Sequence, residues 1–344
     1  MPLWTRRPPD RLVSTLTGHK EAVVAVAIAP GGSWLATGSL DKTARIWSAE
    51  GTPVATLTGH GQGVAAVAIA PDGSWLATAS GDKTVRLWSA EGTPGATLTG
   101  HGDGVTAVAI APDGSWLATA SWDKTVRIWN ANGTPRATLT GHADTVYAVA
   151  IAPDGSWLAT TSWDHTVRIW SVDGAPRGVL AGHRYGVVAV AIAPDGSWLA
   201  TGGAEKRAWI WNADGTPRGI LAGHRYGVLA VAIAPDGSWL ATSGAEKQAR
   251  IWNTDGTPRG ILTGHRHWVL AVAIAPDGSW LATASGDKTA RIWNADGTPR
   301  AILPGHRNWL GAVAIAPDGS WLATAGGDKT ARIWSADSVP PPPR

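Results

Sequence analysis

The chain contains no cysteine, no phenylalanine and a single methionine in 344 residues. Without thiols there is no disulfide framework, no thiolate metal site and no cysteine nucleophile. No run of about 18 apolar residues occurs, so no bilayer-spanning helix is encoded. The opening MPLWTRRPPDR carries arginines but none of the apolar stretch that directs secretion, and a cytoplasmic location is expected. Charge is scarce, 16% of residues against a usual ~25%. Lys+Arg number 29 and Asp+Glu 26, too small an excess to require the clustered basic face of a nucleic-acid binder. Neither nucleic acid nor membrane is an expected partner. Glycine-rich phosphate loops and histidine pairs at metal spacing are missing too.

What the chain has instead is Gly 43, Pro 23 and Trp 22, with an apolar fraction of 44% that is ample for a core. The cause is internal repetition. Gly-His recurs at His19, His60, His101, His142, His183, His224, His265 and His306, always 41 residues apart. A tryptophan keeps the same step at Trp47, Trp88, Trp129, Trp170, Trp211, Trp252, Trp293 and Trp334. AVAIAP and GSWLAT lie between them in nearly identical form. Each unit reads as four short strands. In the second copy Val64–Ala70 is apolar on both sides, as a strand covered on both faces should be. Pro71-Asp72-Gly73 supplies a turn, and Ser74–Ser80 is the next strand. A tight turn at Gly81-Asp82-Lys83 leads to Thr84–Trp88, and a further turn leads to Gly95–Thr99. No helical period appears. Four-stranded units of about 40–45 residues are the pattern of propeller blades.

The recurring GH, PDG, turn Asp and third-strand Trp resemble the WD-repeat β-propeller family over about residues 11–337. One departure is plain. The Asp that often follows the Trp is replaced by Ser48, Ser89, Asn130, Ser171, Asn212, Asn253, Asn294 and Ser335. The fold class expected is an all-β, eight-bladed β-propeller of four-stranded antiparallel blades. After Trp334 no good fourth strand follows, whereas residues 11–17 look like a fourth strand without its first three. The simplest closure lends that N-terminal strand to the last blade. Residues 1–10 and the proline-rich 338–344 remain as tails, the latter suited to an extended linker.

Each blade carries Thr, His, Asp and Trp, exemplified by His60, Thr78, Asp82 and Trp88. These types could suggest a catalytic triad. Eight copies of one active site are implausible, and the resemblance implies a structural tetrad, a hydrogen-bond chain that satisfies buried polar groups. No catalytic residue, metal or cofactor is expected. In blades five and six Glu205 and Glu246 replace the Asp, and Arg207 and Gln248 replace the Thr that follows the turn. A longer carboxylate must bend to reach the imidazole. Looser networks, or other partners for His183 and His224, are expected there. The Asp of PDG reads as a turn residue beside a positive-φ glycine, one carboxylate being too few ligands for calcium. His165 and His267 read as surface residues.

Copies two and three differ at seven of 41 positions and copies five and six at six, which points to recent amplification. The three residues after GH nevertheless vary: KEA, GQG, GDG, ADT, RYG, RYG, RHW and RNW. The resemblance implies that these positions, and those before the turn carboxylate, line one end of the ring where partners dock. Aromatic additions gather there at Trp122, Tyr147, Trp163, Tyr185, Tyr226, Trp268 and Trp309. Arg184, Arg225, Arg266 and Arg307 add one arginine to each of four successive blades. Aromatics with arginine match interface hot spots. The expected function is a non-catalytic, monomeric scaffold binding a protein or peptide on this GH-loop face. The rival is a carbohydrate-binding module that stacks exposed Trp on sugars. A second ring, Trp34, Trp75, Trp116, Trp157, Trp198, Trp239, Trp280 and Trp321, follows PDG near the opposite face. It reads as inter-blade packing or as a second association surface.

Overall fold

The computed structural model describes residues 11–337; the expected tails, 1–10 and 338–344, lie outside the described residues. Every regular element among the described residues is a strand, and none is a helix that could cross a membrane. The first is β1 (Leu12–Leu16). Blade one then consists of β2 (Val23–Ile28), β3 (Trp34–Ser39), β4 (Ala44–Ser48) and β5 (Pro53–Leu57). Strands β6 to β29 fill blades two to seven over residues 64–303. Blade eight holds β30 (Leu310–Ile315), β31 (Trp321–Gly326) and β32 (Ala331–Ser335). In blade two the strands run Val64–Ile69, Trp75–Ser80, Val85–Ser89 and Pro94–Leu98, each boundary within one residue of the sequence reading. The outer strand begins at Pro94, opposite Trp88 across an irregular register. A proline is tolerated at the start of an edge strand because it need not donate to a ladder.

Each blade is a four-stranded antiparallel sheet in sequence order, and the last is completed by the first strand of the chain, as β30-β31-β32-β1. Leu12 lies opposite Trp334 and Leu16 opposite Ala331. Past the ladder, the Ser335 amide donates to the Arg11 carbonyl at 2.8 Å, and Arg11 Nη1 donates to the Ala336 carbonyl at 2.6 Å. Closure leaves no blade without neighbours on both faces, which is how a propeller manages its edges.

The core is a series of inter-blade seams. One apolar cluster fills each of the eight junctions. At the first, Ala36, Ala44, Ile46 and Leu57 of blade one meet Val64, Leu76 and Trp88 of blade two. At the last, Leu16, Ala323 and Ile333 of blade eight meet Val23, Leu35 and Trp47 of blade one. In blade one a methyl on Gly38 would lie 2.9 Å from Val64 of the next blade, although the same position carries Ala79, Ala120 and Thr161 in blades two to four.

The strand order sorts the loops into two ends. The Leu40 amide donates to the Ala22 carbonyl at 3.0 Å and Ser39 Oγ to the Glu21 carbonyl at 3.2 Å. The GH loop and the β3–β4 turn therefore share one end. At the other, the Ala49 amide donates to the Ser33 carbonyl at 3.0 Å, joining the β2–β3 and β4–β5 turns. In the PDG turns the Asp is committed locally: Asp72 accepts from the Ser74 amide at 2.9 Å and its hydroxyl at 2.7 Å.

Candidate binding face

The GH-loop end is held by the tetrads. In blade two, Trp88 Nε1 donates to Thr78 Oγ1 at 2.9 Å. Thr78 Oγ1 lies 2.8 Å from His60 Nε2, and His60 Nδ1 lies 2.8 Å from Asp82 Oδ2. The ionised carboxylate only accepts, so Nδ1 carries the proton and Nε2 accepts the threonine hydroxyl. Asp82 also accepts the Gly61 amide at 2.8 Å and the Thr84 hydroxyl at 2.7 Å, tying the GH loop to the turn. Thr78 is wholly buried. Burial lowers the His60 pKa and outweighs Asp82, which pulls the other way. Burial alone would raise the Asp82 carboxyl, but Thr84, the Gly61 amide and His60 together hold it at about 2.

Blades five and six match the sequence reading in part: each glutamate accepts fewer hydrogen bonds than Asp82, yet both histidines keep it as partner. The glutamate contacts are not longer: His183 Nδ1 lies 2.5 Å from Glu205 Oε1, and His224 Nδ1 lies 2.6 Å from Glu246 Oε1. What changes is the turn. Arg207 and Gln248 have no hydroxyl to return to the carboxylate. The residue after the Asp takes a left-handed φ at Lys42, Lys83, Lys124, His165, Lys288 and Lys329, but Lys206 and Lys247 do not. The extra methylene is absorbed by a reshaped loop, and the imidazole keeps its acceptor.

Blade five holds a further departure that sequence reasoning passed over. The third strand carries an arginine at Arg45, Arg86, Arg127, Arg168, Arg250, Arg291 and Arg332, and Trp209 takes that place in blade five. Arg45 lies over the Trp47 ring at 5.8 Å and donates to the Gly18 carbonyl at 3.0 Å. A side chain on Gly18, whose φ is +136°, would strike that guanidinium. Trp209 instead stacks on Trp211 at 5.0 Å and 15°, and its Nε1 donates to Glu205 at 3.3 Å. The broken repeat at position 209 was the signal.

On the face itself Trp122, Trp163, Tyr185, Tyr226 and Trp268 are exposed, while Tyr147 and Trp309 are half-buried. Arg184, Arg225, Arg266 and Arg307 are all exposed. The structure brings some of these together. Tyr147 and Trp163 meet edge-on at 5.8 Å. Trp163 lies over Gly186 of blade five, leaving no room for a Cβ there. Tyr147 and Trp122 line a cavity of about 400 Å³ that reaches Leu40 in blade one. A larger cleft, about 560 Å³, joins Arg225 and Tyr226 to Trp268 between blades six and seven. Tyr185 pairs with His165 at 6.4 Å. Trp309 packs down on Gly311 and Gly327. Leu40 and Ala245 are among the variable positions before the turn carboxylate, and Glu246 and Gln248 are breaks in the repeat, but nothing in their types announces a cavity wall.

Matches to the family described as WD domain, G-beta repeat, cover residues 10–48, 51–89, 92–130, 133–171, 174–212, 215–253, 256–294 and 297–335. The chain belongs to the WD40 family. Each match begins with an outer strand and ends with the third strand of the following blade, as the latch requires. The chain is similar to the crystal structure of Sqt1 from Chaetomium thermophilum, with TM-score 0.88 and 20% identity over 96% of this chain and 99% of that one. It is also similar to the computationally designed Ika8 protein, with TM-score 0.85 and 21% identity over 94% and 99%. At such identities the likeness is one of fold. No curated protein sequence matches the chain.

The second tryptophan ring of this WD40 propeller belongs to the seams. Trp116, Trp157, Trp198, Trp239 and Trp280 are buried in the junction clusters, and Trp34, Trp75 and Trp321 pack against them half-buried. The difference follows a residue 20 positions on. Arg218 lies over Trp198 at 5.5 Å, Arg259 over Trp239 at 5.7 Å and Arg300 over Trp280 at 5.9 Å. Arg136 and Arg177 occupy the same position for Trp116 and Trp157. Val54, Gly95 and, in blade eight, Val13 stand there for the three half-buried rings.

Proposed function

We propose that this WD40 propeller is a non-catalytic, monomeric scaffold that binds a protein or peptide on its GH-loop face. The observation that carries the reading is the set of exposed large aromatics on that face, Trp122, Trp163, Tyr185, Tyr226 and Trp268. Exposed rings of this size expose apolar area that favours association, and with arginine they make the composition of binding hot spots. Five of the opposite-face tryptophans are buried in the inter-blade seams and withdrawn from stacking on sugars, and Trp34, Trp75 and Trp321 are half-buried there. The carbohydrate-binding alternative therefore rests chiefly on the exposed Trp122, Trp163 and Trp268.

The test is affinity capture from the native cell with the parent protein, Trp122→Ala, Trp163→Ala, Trp268→Ala and the opposite-face control Glu91→Ala. Surface truncations such as Trp122→Ala and Trp268→Ala stay within about 0.5 kcal/mol of parent stability, so lost capture reports binding, and a denaturation midpoint for Trp163→Ala separates binding from its packing on Tyr147. The expected result is loss of the same captured protein in the tryptophan variants and retention in the control. Unchanged capture by all three would move the site off this face. A glycan array bound through the same tryptophans, with no captured protein, would favour the rival.

A further inference from the structure

The cleft between blades six and seven owes its form to the reshaped turn. Glu246, Lys247 and Gln248 stand where most blades have Asp-Lys-Thr, and the Glu246 carbonyl accepts the Val269 amide of blade seven at 3.0 Å. That bond pins the turn against the neighbouring blade. Tyr226 and Trp268, 61% and 51% exposed, supply the cleft's aromatic walls. Its volume of about 560 Å³ falls within the ~300–1,000 Å³ of ordinary ligand clefts.

Its charge is one-sided. Arg225 and Lys247 are exposed at the lining, and Arg266 is exposed on the loop that carries Trp268. None of the three has a carboxylate within ion-pair distance among the described residues, where Arg250 and Lys329 are the only arginine or lysine so paired. The one carboxylate of the lining, Glu246, is 7% exposed. Its oxygens are taken by His224 at 2.6 Å and the Arg225 amide at 3.2 Å, with Arg250 Nε at 3.7 Å. It does not quench the cations at the mouth. The same holds along this half of the face. Glu205, Asp287 and Asp328 are tied to tetrad histidines, whereas Arg184, Lys206, Arg207, Arg225, Lys247 and Arg307 face solvent. Blades one to four instead mix signs, exposing Glu21, Asp103 and Asp144 beside Lys20, Lys42, Lys83 and Lys124.

We infer that the cleft takes an acidic peptide segment, seating an aromatic or large aliphatic side chain between Tyr226 and Trp268 with a neighbouring carboxylate on Arg225 and Lys247. Gln248, with a donor and an acceptor, suits the peptide backbone. A nucleic-acid strand is the less fitting occupant, since it asks for an unbroken path of cations, and in blades one to four the exposed lysines are interspersed with Glu21, Asp103 and Asp144. The inference rests on the GH-face reading and narrows it to a ligand chemistry.

The test uses the full chain and fluorescein-labelled decapeptides alternating glutamate with phenylalanine. The comparison set holds the same peptides with lysine for glutamate, the same with alanine for phenylalanine, and a single-stranded oligothymidine. Fluorescence anisotropy should show the acidic aromatic peptide binding at least tenfold more tightly than either altered peptide or the oligonucleotide, and more weakly as salt rises. Trp268→Ala should weaken it at least tenfold, as truncation of a hot-spot aromatic does, while Trp122→Ala leaves it unchanged. The double variant Arg225→Glu, Lys247→Glu should reverse the preference toward the lysine peptide. Equal binding by the reversed variant, or tighter binding of the oligonucleotide, would overturn the inference. So would capture of a partner lost in Trp122→Ala but kept in Trp268→Ala, an outcome that leaves the face reading intact. Capture indifferent to both tryptophans would remove that reading and this one with it.

Discussion

A buried imidazole sits in every blade, and its protonation is coupled to folding. Burial holds His19, His60, His101, His142, His224, His265 and His306 below the ordinary 6.5. The unfolded chain therefore takes up protons before the folded one does, and stability that is complete above pH 6.5 declines as pH falls toward the lowered folded values. Asp41, Asp82, Asp164 and Asp287, held at about 2 against an ordinary 3.8, add a second loss below pH 4 that continues to about pH 2. Urea denaturation midpoints measured from pH 8 to pH 3 should be level at the alkaline end and then fall in two stages. A flat profile down to pH 4 would contradict the assignment of neutral, buried histidines. The tetrads themselves were legible in the sequence, because a period of 41 residues exposes any side chain that never varies. The glutamate blades were not, since residue type gives the reach of a side chain but not the turn conformation that absorbs it.

At the scale of the strand, the outer edge of each blade decides how far the second tryptophan ring is covered. An arginine on the outermost strand lays its aliphatic stem and guanidinium over the ring while its charge stays in water. Arg218→Ala should uncover Trp198 and lower stability by about 0.5–1 kcal/mol, the usual worth of an exposed cation–π contact. Arg184→Ala, on a loop, should change nothing. Chemical denaturation of the two variants beside the parent checks this, and equal stabilities would remove the arginine from the packing. The sequence left this ring between packing and a second association surface. The difficulty was physical. Trp116 and its equivalents begin their strands next to exposed turns, and strand alternation alone cannot say that a neighbouring blade lies over them. Strand positions and the latch were easier, because turn residues and alternating apolar runs punctuate every copy.

The whole ring depends on one borrowed strand. Deleting the first seventeen residues removes β1, leaves β32 as a bare edge and strips Leu16 from the junction of blades eight and one. Unpaired edges recruit other chains. The truncated protein should melt at lower temperature and elute as larger species in size-exclusion chromatography. If it remains monodisperse with the parent's melting temperature, the latch carries no weight. Fold and closure could thus be read from the repeat, whereas the proposed binding face could be read only as a list of variable positions. The cavities beside Trp122 and Trp268 arise from loops of different blades, which lie far apart in the chain.

The junction between the borrowed strand and its blade has a consequence for copy number. Every 41-residue unit contributes the outer strand of one blade and the three inner strands of the next, so units overlap like links. A chain of any whole number of units begins with an outer strand in need of three partners and ends with three strands in need of an outer one. The two ends always match. Losing or gaining a unit by unequal recombination would therefore spare the closure itself. It would change only the angle at which neighbouring blades meet.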